Sequence, residues 1–383
     1  MSLSLSVSIL AACSTSETGH PGTGGTTGGG GTTTPTGGTT GSTGGTTGSG
    51  GTTGGGGTSE TGGTTGSTGG ASGGSTGSTG GAGGGTGSGG ATATGGSGGS
   101  AAGGSGGSAG FTRFMCPAGP FGAQMRGNAT AICKGNGFAF RYDYVEGPTW
   151  ISTQHAFFFS NFIHADSGTN KSAGDIIKAT LNTDGSVTCE QWLMDVGCNG
   201  LAVSATGKLL GTCHGPRAVM EYDPATKAAR TIADNYNGKM LESPNDLIAD
   251  SRGNIYFSNP DYELGGRTPG GTVGAYWIDP TGKVTQLSAG GEPNGVALSP
   301  DETKLYIVQA GVWTLDDKGV PTKTNMGAPG GDGLAVDCAG RITADSTNSA
   351  YGGPDGKTLI IVSGSGINAI GARIIPVTVP GLP

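Results

Sequence analysis

No apolar run in this chain approaches the length of a membrane-spanning helix, and no Lys/Arg cluster is placed to follow a phosphate backbone. With 20 basic against 27 acidic residues and a net charge of −7, the charge balance argues against nucleic acid as a partner. A sustained period of 3.6 in the apolar residues is missing, which argues against a helical fold. Paired cysteine spacings of the zinc-site kind are missing as well. Between about Ser14 and Gly110 large apolar side chains almost vanish, and most of the 84 glycines of the chain fall there among Thr and Ser. Such a segment cannot bury enough surface to offset its ordering entropy, so residues 14–110 are expected to be a disordered linker.

Ahead of that linker, Leu10-Ala-Ala-Cys13 resembles a bacterial lipobox, in which the cysteine is lipidated. Residues 1–13 are therefore expected to be a lipoprotein signal segment with Cys13 as the lipidation site. No Lys or Arg precedes the apolar run, and Ser interrupts it. The expected location is the bacterial cell envelope, lipid-anchored, with a secreted or periplasmic chain as the alternative. Six of the seven cysteines remain once Cys13 is set aside, and an even number in an exported domain points to disulfides. Local pairings would join Cys116 to Cys133, and Cys198 to Cys189 or Cys213.

Residues 111–383 read as all-β. Strand-like runs such as His155-Ala-Phe-Phe-Phe-Ser and Lys304-Leu-Tyr-Ile-Val alternate with turns at hairpin spacing, among them Asp184-Gly185, Asp223-Pro224, Asp279-Pro-Thr-Gly282 and Asp317-Lys-Gly319. One pattern repeats: a polar residue beside Gly or Asp, a small apolar run, then a turn and a strand. It occurs at Glu146-Gly, Asn199-Gly, Asn245-Asp, Asn294-Gly and Asp332-Gly, with a weaker sixth copy near Tyr351. The spacing of roughly 40 to 50 residues is that of one four-stranded propeller blade, so the expectation is a six-bladed β-propeller. Cys116 to Arg141 would close the ring or cap one face. If each copy opens an inner strand, its polar residue faces the central channel. Glu146, Asn245, Asn294 and Asp332 then form an all-oxygen set suited to one hard divalent cation, Ca²⁺ first, with Mg²⁺, Mn²⁺ or Zn²⁺ as alternatives. Asn-Gly and Asp-Gly pairs also occur simply because they make turns.

Several segments, in order, carry a family resemblance: Glu146-Gly-Pro-Thr-Trp150, Cys213-His-Gly-Pro-Arg217, Ser243-Pro-Asn-Asp246, Ile255-Tyr-Phe-Ser-Asn-Pro-Asp-Tyr262, Glu292-Pro-Asn-Gly-Val-Ala-Leu-Ser-Pro-Asp301 and Asp332-Gly-Leu-Ala-Val-Asp337. The domain resembles the SMP-30, gluconolactonase and regucalcin-like family of six-bladed propellers. The resemblance implies a divalent cation held by Glu146, Asn294 and Asp332, with Asn245 on substrate or metal-bound water and at times on the metal. It implies hydrolysis of a small lactone or related ester by a monomer, with Asp332 as the base. His214 competes for that role or contacts substrate, and Asn199 is a further substrate-side candidate. Tyr262, Glu263 and Trp277 are expected to shape the pocket, and His155 and His164 to be structural. The same features fit a non-catalytic propeller, tethered at the envelope, that binds a carbohydrate or protein partner. A metal-free relative of the strictosidine-synthase type is disfavoured by the intact oxygen set.

Overall fold

A computed structural model describes residues 111–134, 137–163, 173–344, 346–364 and 371–383. Cys13, the expected linker and His164 lie outside the described residues. All described residues belong to one compact unit, Gly95–Pro383.

Strands and tight turns alternate throughout, and among the described residues the only helix is the three-residue 3₁₀ turn Ser152–Gln154. The first sheet is an antiparallel meander of Tyr144–Ile151, Ala156–Phe162, Gly174–Leu181 and Val187–Leu193. The second runs Cys198–Val203, Leu209–Cys213, Ala218–Tyr222 and Ala229–Ala233. The third is Leu247–Ala249, Ile255–Asn259, Gly274–Ile278 and Val284–Ala289. In the fourth, Val296–Leu298, Lys304–Ile307, Gly311–Leu315 and Pro321–Lys323 follow one another. The fifth has two strands, Ala335–Val336 and Ile342–Thr343. Asn348–Gly352, Thr358–Ser363 and Gly371–Pro376 make the sixth, and Thr130–Ile132 from the other end of the domain pairs onto its outer edge. The turns at Asp184, Asp223, Asp279 and Asp317 join third to fourth strands, as their sequence signals predict.

The core lies between sheets. Period-2 alternation sends Phe157 and Phe159 to a cluster with Ile360, Val362 and Ala372 of the sixth sheet. Phe158, between them in sequence, faces Leu201, Leu209 and Tyr222 of the second sheet. Further buried clusters join second to third, third to fourth, fourth to fifth and fifth to sixth sheets. First strands of successive sheets neighbour one another, and that of the sixth returns to that of the first. The arrangement is propeller-like, closed by burial on both faces of nearly every sheet.

One end of the ring is covered by the chain's own segments. Arg113 donates to the Ala249 carbonyl and pairs with Glu302 at 3.3 Å. Arg341 donates to the Gly122 carbonyl at 2.8 Å, and Gln124 to that of Val379 at 2.9 Å. Disulfides join Cys116 to Cys338, Cys133 to Cys189 and Cys198 to Cys213. The expected Cys198–Cys213 alternative is therefore present, whereas Cys116–Cys133 is not. Residues near Cys116 lie across the end of the ring beside the fifth sheet, while Cys133 follows the strand on the edge of the sixth and reaches the outer strand of the first.

Candidate active site at the mouth of the central channel

The segments that open successive repeats meet across neighbouring sheets. Gly200 N donates to the Asn245 carbonyl at 2.6 Å, Val296 N to Asp246 Oδ2 at 3.1 Å, Gly295 N to the Asp332 carbonyl at 3.0 Å and Gly333 N to the Thr347 carbonyl at 2.7 Å. Thr347 Oγ1 donates to the Val145 carbonyl at 2.8 Å and closes the circuit onto the first sheet. Glycine is required here by crowding. A β-carbon on Gly200 would lie 2.6 Å from the Asp246 Cα, closer than non-bonded carbon atoms approach. Gly147, at φ +53°, abuts Gly200 in the same way. The Asn-Gly and Asp-Gly pairs thus serve close sheet-to-sheet approach, not hairpin turns.

This circuit gathers acidic groups. Glu146 and Asp246 are buried, and Asp332 sits with them. Glu146 Oε2 accepts the Gly147 N–H at 3.1 Å, and the Asn348 amide nearby favours its charged form. Asp246 accepts Leu247 N at 2.9 Å, Val296 N at 3.1 Å and Asn348 Nδ2 at 3.4 Å. The Asn294 amide beside Asp332 favours its charged form. Among the described residues no Lys, Arg or His forms an ion pair with any of the three. Burial first, then repulsion from Asp332 and Asp246, raises the Glu146 carboxyl well above the ordinary range. Burial pushes Asp332 up to about 6 and Asp246 up to about 7.

A second wall carries an imidazole. His214 is fully buried, its ring 4.9 Å from that of Phe162, and neither ring nitrogen has a hydrogen-bond partner. Burial, then the nearby Arg267 charge, lowers it to about 3, so the ring is neutral. Two arginines tie its turn to the loop after Asn259. Arg267 donates to the carbonyls of Gly215, Glu263 and Leu264, each at 2.9 Å, and Arg217 reaches back to Thr268 O at 2.8 Å and Glu242 at 3.1 Å. Ser243 Oγ, from the segment ahead of the third sheet, lies 3.2 Å from Glu263 Oε2 of that loop, and Tyr262 donates to the Glu292 carbonyl at 2.8 Å.

Of the sequence-predicted residues, Glu146 and Asp332 lie within electrostatic reach of one another, with Asn294 beside Asp332. Asn245 and Asn199 are buried in the same circuit, and His214, Tyr262 and Glu263 flank it. Trp277 does not shape the pocket: it donates to Asn254 Oδ1 at 2.9 Å within the third sheet. The sixth copy begins at Asn348, not Tyr351; Gly352-Gly-Pro-Asp is the turn that follows its first strand. Sequence reasoning also passed over Asp246, whose place beside Asn245 in the repeat was the available signal, and Tyr144, which has none. Below the mouth, Pro148, Leu201, Leu298, Val336 and Leu382 line a cavity of about 40 Å³.

A propeller-like all-β chain with a buried oxygen-rich circuit at one channel mouth is the class these observations define. Residues 144–345 match the family described as SMP-30/Gluconolactonase/LRE-like region, and the chain belongs to that family. It is similar to a gluconolactonase of Zymomonas mobilis, 34% identical over 197 residues that make up 44% of this chain and 55% of that protein. Lactonohydrolase oryL of Aspergillus oryzae is 32% identical over 95 residues, 23% of this chain and 22% of that one. The chain thus spans about half the length of the first relative and about a fifth of the second. A solved structure provisionally named a gluconolactonase superposes with a TM-score of 0.52 at 21% identity, covering 70% of this chain and 96% of that one. At that identity the likeness shows the shared fold.

Among the described residues no three His, Cys, Asp or Glu side chains converge as a ligand group. The fit to a cation rests instead on the mixed donor set. Glu146 and Asp332 supply carboxylates, Asn294 an amide oxygen, and negative charge is left without a cationic side chain beside it. That set suits a hard cation.

Proposed function

We propose that the chain is a divalent-cation-dependent lactone hydrolase whose catalytic unit, residues 111–383, is a six-bladed propeller with a shortened fifth blade. One observation carries this: a closed circuit brings Glu146, Asn294 and Asp332 from three distant repeats to one mouth and leaves their charge unpaired. Glu146, Asn294 and Asp332 hold the cation, with Asn245 beside them; Ca²⁺ fits this oxygen set best, ahead of Mg²⁺, Mn²⁺ or Zn²⁺. When bound, the cation supplies Lewis acidity toward a carbonyl oxygen and acidifies water. Asp332 takes the proton of the attacking water on a carboxylate oxygen. Water adds across the acyl C–O bond, and the ring oxygen leaves with a proton as the hydroxyl of the product acid. His214, held neutral, is a poor base at neutral pH. Its two unpartnered nitrogens offer one donor and one acceptor to substrate, with Asn199 and Asn245 nearby.

The substrate is a small lactone or related ester, taken by a monomer. Export and tethering at Cys13 complete the proposal, and the three disulfides support an oxidising compartment. A panel of sugar and aliphatic lactones, assayed with the full chain, tests the reaction. Turnover is expected with Ca²⁺, is lost on chelation and returns on adding the ion. A folded, cation-binding chain that hydrolyses none of the panel would contradict it and turn attention to a binding role.

A further inference from the structure

Tyr144 stands two residues before Glu146 on the same strand, and strand alternation puts both on one face. Register confirms this, with Tyr144 opposite Phe162 and Glu146 opposite Ser160. The ring is fixed on two sides. It packs 5.5 Å from the Phe162 ring, and a β-carbon on Gly364 would lie 2.7 Å from its Cγ. Asn161, itself buried, donates from Nδ2 to the Tyr144 carbonyl at 2.7 Å and anchors the backbone. The phenol then lies in the field of Glu146, Asp332 and Glu263, which come from three parts of the ring.

Two fully buried tyrosines serve the architecture. Tyr256 donates to the Gly319 carbonyl at 2.6 Å and Tyr276 to that of Thr272 at 2.5 Å, each knitting strands together away from the acidic circuit.

We propose that Tyr144 is a further catalytic residue whose hydroxyl donates a hydrogen bond to the lactone carbonyl oxygen as charge develops there. The inference rests on the hydrolase reading above. Carboxylates are acceptors only, so an oxyanion formed beside Glu146, Asp332 and Glu263 needs donors as well as a cation. A phenol hydroxyl supplies one without adding charge.

The test is Tyr144→Phe in the full chain, which keeps the ring on Phe162 and removes one hydroxyl. Its kcat should fall about a hundredfold, the order seen when one oxyanion donor is removed, with KM and thermal midpoint nearly unchanged. A second readout is independent of turnover. Terbium bound in place of Ca²⁺ should show weaker tyrosine-sensitised emission in the variant at unchanged terbium affinity. An unchanged kcat in an otherwise active enzyme overturns the role of Tyr144 and leaves the hydrolase reading standing. Unchanged emission overturns its placement beside the ion. A wild-type chain without turnover overturns the hydrolase reading and this inference with it.

Discussion

The first strands of the sheets carry acidic or amide residues at both ends, and the two ends treat them oppositely. At the end away from the site, Asp250 and Asp337 follow the strands Leu247–Ala249 and Ala335–Val336 and are buried. Asp250 accepts Arg252 Nε at 2.7 Å, Asn254 Nδ2 at 2.8 Å and the N–H groups of Arg252 and Asn254. Asp337 likewise holds Arg341 Nε at 2.7 Å and two backbone N–H groups. At the other end Glu146, Asp246 and Asp332 share amide donors and backbone N–H groups, with no cationic side chain paired to them among the described residues. Burying unpaired carboxylates within electrostatic reach of one another is costly unless something offsets their charge. The first end is therefore architecture, and on the proposed reading the second is completed by a cation.

Substitutions should separate the two ends. Glu146→Gln or Asp332→Asn should abolish turnover, as read by product formation, while the chelated variant is at least as stable as wild type because repulsion is relieved. The mirror change, Asp250→Ala, should cost about 3 kcal/mol or more in urea unfolding, the order found when one partner of a buried ion pair is removed, with cation affinity retained. Replacing Cys198 and Cys213 together by Ser should cost about 3 kcal/mol by the same measurement, since the bridge closes a short loop. It should also disturb Asn199 and His214, the residues that follow each cysteine.

The smallest effect is on pH dependence. Burial raises the Asp332 carboxyl from 3.8 to about 6, so the folded chain holds that proton more tightly than the unfolded one. Its contribution to stability is complete below the unfolded value and is lost as pH rises through about 6. The melting temperature of chelated wild type, taken relative to Asp332→Asn, should therefore fall across that interval. Saturating cation should reverse the trend, because the ion stabilises the ionised wild type and not the variant.

Much of this arrangement was legible because crowding leaves a mark in the chain. Where one sheet's backbone meets the next at Gly200 and Gly295, or the Asn348 side chain at Gly333, only glycine fits, and the pair Asn-Gly or Asp-Gly repeats. Between the sixth and first sheets the link is made by the Thr347 side chain, so the glycine signature fades and Asn348 went unrecognised. Cys116–Cys338 spans 222 residues and depends on how the terminal segments cross the end of the ring; no local spacing encodes that. Tyr144 is a lone residue in a strand, and its significance comes from carboxylates brought beside it by folding.

Calorimetric titration of the full chain with Ca²⁺, wild type beside Glu146→Gln, tests the central claim most directly. One ion per wild-type chain, and binding lost or greatly weakened in the variant, is the predicted result. Equal binding by both chains, or none by wild type, would contradict an acidic circuit built around a cation.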